Sequence, residues 1–263
     1  MRHVGIGLGL GLCLVLTSGC TFESWFRRPP PAEVEPAPTA MPEPEKLIGY
    51  LNAESHKIQS FQCERVELQA RSGGTGGNVS GYLYCRSPHD FRLRGKALGM
   101  DEVDIGSNEE EFWFWVKRAD THLYHCSYRD LEQGGVKLPF PFQPEWIAEA
   151  LGMGQYGNPA DYKIEEVGSR HEKLELSQVV NSPQGQPVKK VTLMYKARVE
   201  PPMPQIIEHR LQDMNGKVIC SATVQSVAKD PATGVKYPKV VVLTCPSEKP
   251  GERTELRMIM DKV

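Results

Sequence analysis

His122, His125 and Cys126 are the side chains of this sequence that come nearest to a metal-ligand set, two imidazoles and a thiol within five positions. On a strand, His125 points away from the other two, and His122 and Cys126 stand about 13 Å apart. They cannot share one ion without outside help, so surface or packed side chains are expected. Glu109, Glu110 and Glu111 could supply carboxylates for acid–base work. They stand at the entrance to a strand, where a solvated turn is the simpler reading. GNVSG (77–81) approximates a nucleophile elbow but lies on a strand edge, without the strand-to-helix turn. GGTGG precedes a strand and lacks the lysine of a phosphate loop, so it reads as a turn. No CxxC occurs. No catalytic residue, metal ion or cofactor is expected, and the chain reads as a non-enzyme. The balance of 31 basic against 33 acidic residues leaves a net charge of −2, which argues against a nucleic-acid partner.

The remaining reactive side chains are cysteines, and the first matters most. Arg2 and His3 precede an apolar, glycine-rich run, VGIGLGLGLCLVL, and then LTSGC. That run is too short to span a bilayer and reads as a secretory signal over residues 1–19. Cys20 after small residues resembles the bacterial lipobox, whose thiol is acylated and becomes the first residue. Leu16 stands four positions before Cys20 and Thr17 takes the usual leucine slot, so the match is to the looser pattern. Residues 20–45 follow as a spacer rich in Pro, Glu and Ala that cannot build a core. At roughly 3 Å per residue it could reach on the order of 70 Å. A lipid, a stiff tether and a folded domain from 46 to 263 are the layout of an exported envelope lipoprotein. Thr21, not Asp, follows the cysteine; by resemblance to bacterial sorting rules this implies the periplasmic face of the outer membrane.

The elements that must position everything else are strands. Residues 43–58 read as one helix, with Leu47, Tyr50, Leu51 and Ile58 at helical spacing. Residues 143–153 read as a second, with Trp146, Ile147, Ala150 and Leu151 as its stripe and Gly152 as its end. Nearly all the rest alternates, in runs such as HLYHCSYR, joined by turn signals such as Asn215-Gly216. The expected fold is mainly β: a strongly curved antiparallel sheet, an incomplete barrel of about 11 strands, with the two helices lidding its concave side. In an exported chain, cysteines are expected to pair. Facing Cys63 and Cys85 places a hairpin centre in GGTGG. Facing Cys220 and Cys245 places one in KDPATG, with Ala222 opposite Leu243 and Val224 opposite Val241. Disulfides Cys63–Cys85 and Cys220–Cys245 are therefore expected, with Cys126 unpaired.

Several stretches in order resemble the lipoprotein carrier and receptor superfamily, LolA/LolB-like: HKIQSFQCERVELQA after the first helix, GYLYCRSPHDFRLRG, EEEFWFW and GVKYPKVVVLT. The resemblance covers roughly residues 46–263. It implies an apolar cavity holding acyl chains or the lipidated terminus of another protein, and a monomeric chain. On that reading Phe91, Leu93, Phe112, Phe114 and Val116 line the cavity. Leu98, with Met100, matches an exposed loop position that in the receptor branch assists transfer into the membrane. The long spacer, the cysteines and the C-terminal hairpin depart from the family pattern. The competing expectation is a non-catalytic interaction lipoprotein of the same fold whose cavity is filled by its own side chains.

Phe112-Trp113-Phe114-Trp115 does not alternate apolar with polar as a half-wet strand should. Phe112, Phe114 and Val116 share one face, assigned here to the concave side. Trp113 and Trp115 share the other, which needs a cover: the spacer, a loop, a partner or the membrane headgroup zone. Alternatively, the strand is buried on both faces.

Overall fold

Thirteen antiparallel strands form a single sheet in the computed structural model, which describes residues 41–72, 75–86, 89–117, 122–133, 144–182, 185–196, 205–246 and 253–263. The signal segment, Cys20 and most of the spacer lie outside those residues. In chain order the strands are β1 (Ser60–Ser72), β2 (Thr75–Arg86), β3 (Asp90–Ala97), β4 (Met100–Ser107), β5 (Glu111–Val116), β6 (Tyr124–Ser127), β7 (Lys163–Val167), β8 (Lys173–Asn181), β9 (Pro187–Tyr195), β10 (Gln205–Gln212), β11 (Val218–Lys229), β12 (Lys236–Pro246) and β13 (Arg253–Lys262). Their spatial order runs β6-β5-β4-β3-β2-β1-β13-β12-β11-β10-β9-β8-β7. Two up-and-down meanders thus meet where β1 pairs with β13, Val66 opposite Met260 and Leu68 opposite Met258. The sheet is open, as expected, but has two strands more than expected.

The helices also differ from the expectation. The first, α1, spans Pro44–Ser55, shorter than 43–58. After Ser55 the chain tightens, with Lys57 N–H donating to Glu54 O and Ile58 N–H to Ser55 O. Ile58 leaves the helix and packs against the main core instead. A second helix, α2 (Tyr128–Glu132), takes the end of what reads as a strand in HLYHCSYR. The cause is a cap: Ser127, the last residue of the ladder, accepts at its Oγ from Asp130 N–H at 3.0 Å, and the chain turns into a helix straight after it. The third, α3, spans only Pro144–Ala148 and then widens into a π turn over Glu149–Met153, inside which Gly152, with φ 88°, breaks the helical geometry.

The apolar faces of these segments divide the core. Ile147, Ala150 and Leu151 pack with Val66, Leu83, Leu93, Val241 and Met258 over the middle of the sheet. Leu47, Ile48 and Leu51 of α1 pack with Leu174, Leu176 and Met194 of β8 and β9. Asn52 ties the two covers together. Its Nδ2 donates to Tyr156 O at 2.9 Å and its Oδ1 accepts from Tyr156 N–H at 2.9 Å.

One cysteine pairing is corrected by the register. Cys63 lies opposite Leu83 and Cys85 opposite Phe61, so the two thiols are offset by two positions. A bulge in β1 between Cys63 and Val66 shifts the ladder. Both thiols are buried in the main core, and burial pushes Cys85 up to about 12. Cys63 donates to Arg65 O at 3.0 Å.

Candidate functional site

A cleft of about 510 Å³ opens between α1, the π turn and strands β10 to β12. Leu51 and Ser55 form its α1 wall, Ala150 and Gly152 its roof, and Ile206, Val224 and Pro238 its sheet side. Gly152 keeps it open. A Cβ there would approach Ile58 Cδ1 to 3.3 Å and Pro238 Cδ to 4.0 Å, and the positive φ already favours glycine. Lys229 and Lys236, opposite one another at the end of the β11–β12 ladder, stand at the cleft's outer end.

A polar wall separates this cleft from a narrow second cavity of about 50 Å³ beneath Trp146 and Ile147. Glu149 and His209 border both. Glu149 is paired with Lys190 at 2.5 Å. His209 Nδ1 lies 3.3 Å from Thr192 Oγ1. Part of the imidazole surface faces the cavities, yet protein surrounds the ring, and that burial lowers its pKa to about 4. An unfolded chain therefore takes up this proton near pH 6.5 and the folded chain does not. Stability is unaffected above that pH and is lost as pH falls from about 6.5 to about 4, by on the order of 3 kcal/mol at most. Urea midpoints measured across that window should fall less steeply for His209→Gln than for the parent chain.

The residues expected to line a cavity are placed elsewhere. Phe91 and Leu93 are fully packed in the main core, with Phe114 and Val116 against the same cluster. Phe112 packs with Cys126, Leu131 and Tyr128 of α2. None of the five borders the cleft. On the ladder Phe91 and Phe112 both lie opposite Ser107, and Leu93 and Phe114 both opposite Ile105, so these four share one face of the sheet.

The tryptophan face is covered by its own sheet. Trp113 lies flat across Gly106 of β4, so close that a Cβ on that glycine would fall 2.2 Å from its Cζ2. Its Nε1 donates to Asp104 Oδ1 at 3.0 Å, and the Arg92 guanidinium stacks over its ring, 5.6 Å from the centroid. Asp104 also accepts from Arg92 at 2.9 Å. Trp115 is half-buried opposite Asp104.

Leu98 is 99% exposed and Met100 56% exposed. Leu98 (φ 50°) and Gly99 (φ 80°), both left-handed, form the two-residue turn between β3 and β4, and Met100 follows it, opposite Ala97. His125 is exposed beside Glu111, 3.4 Å away, while Cys126 is buried on the opposite face.

Cys220 and Cys245 fall where the predicted register puts them: Ala222 faces Leu243 and Val224 faces Val241. Both are thiols in the structure. The hydrogen bond from Cys220 holds Cys245 below its usual thiol range, whereas that bond and burial push Cys220 up. Oxidised glutathione should therefore close this pair first, with the loss of two hydrogen masses. Alkylation and peptide mapping should then find Cys63, Cys85 and Cys126 still as thiols.

Sequence reasoning missed His209, the cleft walls and the lysine pair. The lysines were within reach, because a hairpin centred in KDPATG puts Lys229 opposite Lys236. The walls were not, since they join α1, the π turn and three strands far apart in the chain.

Among the described residues, then, this is an open antiparallel sheet with helical covers on one face and a cleft between them. No family model matches the sequence. Solved structures similar to it include a LolA superfamily protein of Nitrosomonas europaea (11% identity, 85% of this chain and 96% of that one, TM-score 0.47). A domain assigned to outer-membrane lipoprotein sorting in Vibrio parahaemolyticus is also similar (12%, 82% and 91%, TM-score 0.49), as is a DUF1329 family protein of Desulfovibrio piger (12%, 82% and 92%, TM-score 0.46). At such identities and TM-scores these likenesses bring no role and no residue assignment to this chain. Among curated proteins, the large subunit p51 of the IgG receptor FcRn matches from Rattus norvegicus and from Mus musculus, each 28% identical over 128 residues, 44% of this chain. The match spans 33% of each receptor subunit and assigns this chain no family.

Proposed function

We propose that this chain is an exported, monomeric envelope lipoprotein, tethered to the outer membrane by a lipid on Cys20, that holds an acyl chain of a lipid or lipidated protein in the cleft. The observation that carries the reading is the cleft itself: about 510 Å³, walled by Leu51, Ile58, Ala150, Ile206, Val224 and Pro238. Each methylene buried there contributes about 0.8 kcal/mol, so the work needs no catalytic group. A cavity filled by the protein's own side chains, as an interaction protein would have, is disfavoured by that volume. Native mass spectrometry of the delipidated protein, with phospholipid and with a triacyl peptide, tests the proposal. Uptake of either supports it; uptake of neither ends it.

The β3–β4 tip fits the same role as a membrane or partner contact. A two-residue turn of this kind favours Asn-Gly, and leucine in a left-handed conformation costs about 1 kcal/mol. Leu98 holds that conformation while its side chain stands in water. Leu98→Asn should raise the urea midpoint slightly yet lower binding to phospholipid vesicles in a sedimentation assay. Equal vesicle binding would remove the tip from the proposal.

A further inference from the structure

The cleft carries a charge that its apolar walls do not need. Four ionic side chains border it: Glu54, Glu149, Lys229 and Lys236. Lys57 neutralises Glu54 at 2.5 Å and Lys190 neutralises Glu149 at 2.5 Å. His209 is kept neutral above about pH 4 by burial. Among the described residues, Lys229 and Lys236 have no such counterion. Asp230, next in the chain, is engaged by its own turn, accepting from Thr233 N–H at 2.9 Å and Ala232 N–H at 3.2 Å. The two lysines face each other across the ladder, an arrangement of like charges that disfavours the strand pair unless an anion joins it. Both lysines are exposed, at the outer end, whereas Leu51, Ala150 and Pro238 are buried at the inner end. Along β11 the distance from Val224 to Lys229 is roughly 15 Å, a span suited to a long acyl chain.

We infer that the cleft's ligand is an anionic amphiphile, its chain against Val224 and Ile206 and its phosphate or carboxylate between Lys229 and Lys236. This rests on the acyl-chain reading above and names the headgroup chemistry that the same site takes. Equilibrium competition against a fluorescent fatty-acid probe tests it on the whole folded chain. The competitors are palmitoyl lysophosphatidylglycerol, palmitoyl lysophosphatidylcholine and palmitate, which share one chain and differ in head. The anionic lysolipid should bind about tenfold more tightly than the zwitterionic one, and 0.5 M salt should shrink that preference. Lys229→Gln with Lys236→Gln should abolish the preference, lowering affinity for the anionic lysolipid about tenfold and for lysophosphatidylcholine, whose phosphate is offset by its own choline, far less. Palmitate following the anionic lysolipid in both proteins assigns the site to anions generally; palmitate following the zwitterionic one assigns it to phosphate. Equal affinity for both lysolipids in the parent chain, or a preference that survives in the double variant, overturns the headgroup assignment while leaving acyl-chain binding in place. Binding of none of the three overturns both.

Discussion

Gly106→Val is expected to destabilise the fold by on the order of 3 kcal/mol. Valine is the better strand former, so local propensity alone predicts the opposite sign. The collision decides it. A Cβ at this position falls 2.2 Å from Trp113 Cζ2 and 2.5 Å from Cε2, so the indole must lift off β4. Lifting it breaks the hydrogen bond to Asp104 and the stacking with Arg92, and it leaves the Asp104 carboxylate with one donor fewer. Urea unfolding followed by tryptophan fluorescence should show an earlier midpoint and an emission maximum shifted towards that of exposed indole. Trp113→Ala is itself costly, but combining it with Gly106→Val should cost much less than the sum, because the second change removes what the first collides with. Additive losses, or a parental midpoint for Gly106→Val alone, would show that the ring is not seated on the glycine.

Leu151→Ala should cost about 2–5 kcal/mol, as large-to-small changes in a packed core do. Leu151 is 0% exposed, although it belongs to a π turn and not to a regular helix. With Ile147 and Ala150 it is the means by which this short cover grips the middle of the sheet. Since Ala150 and Gly152 also roof the cleft, the loss should be felt there too. Hydrogen exchange should speed up in residues 147–153 before it does in β1 or β13. A loss below about 1 kcal/mol would mean that the segment lies on the core without anchoring in it.

The parts of the fold legible in the sequence are those governed by short-range pattern. The β11–β12 register followed from two cysteines, a turn and an alternating apolar face, and Ala222 does meet Leu243. The same reasoning failed for β1–β2, where Ser72 facing Thr75 already puts the register one position off and a bulge between Cys63 and Val66 adds a second, separating two cysteines that share a core face. Ser127 and Asp130 carry a helix cap that the alternation of HLYHCSYR conceals. The assignment of Phe112, Phe114 and Val116 to the covered face holds, but facing the cover put them into packed core, away from the cleft. Which part of a covered face stays empty depends on where α1 and the π turn end. That is decided by Ile58 leaving its helix and by the missing side chain of Gly152.

The seam between β1 and β13 governs how the molecule can be assembled. Each meander is a series of neighbouring hairpins that close cheaply, whereas Val66 must find Met260 across nearly the whole described chain. The main core is built on both sides of that seam, with Val66 and Leu68 from one arm and Val241 and Met258 from the other. Its apolar surface is therefore buried only when the arms join, so the step of highest contact order is also the one that yields the most stabilisation. Refolding should accordingly be limited by docking of the two arms, and variants that weaken pairing at the seam should slow folding more than equally costly changes near β6 or β7.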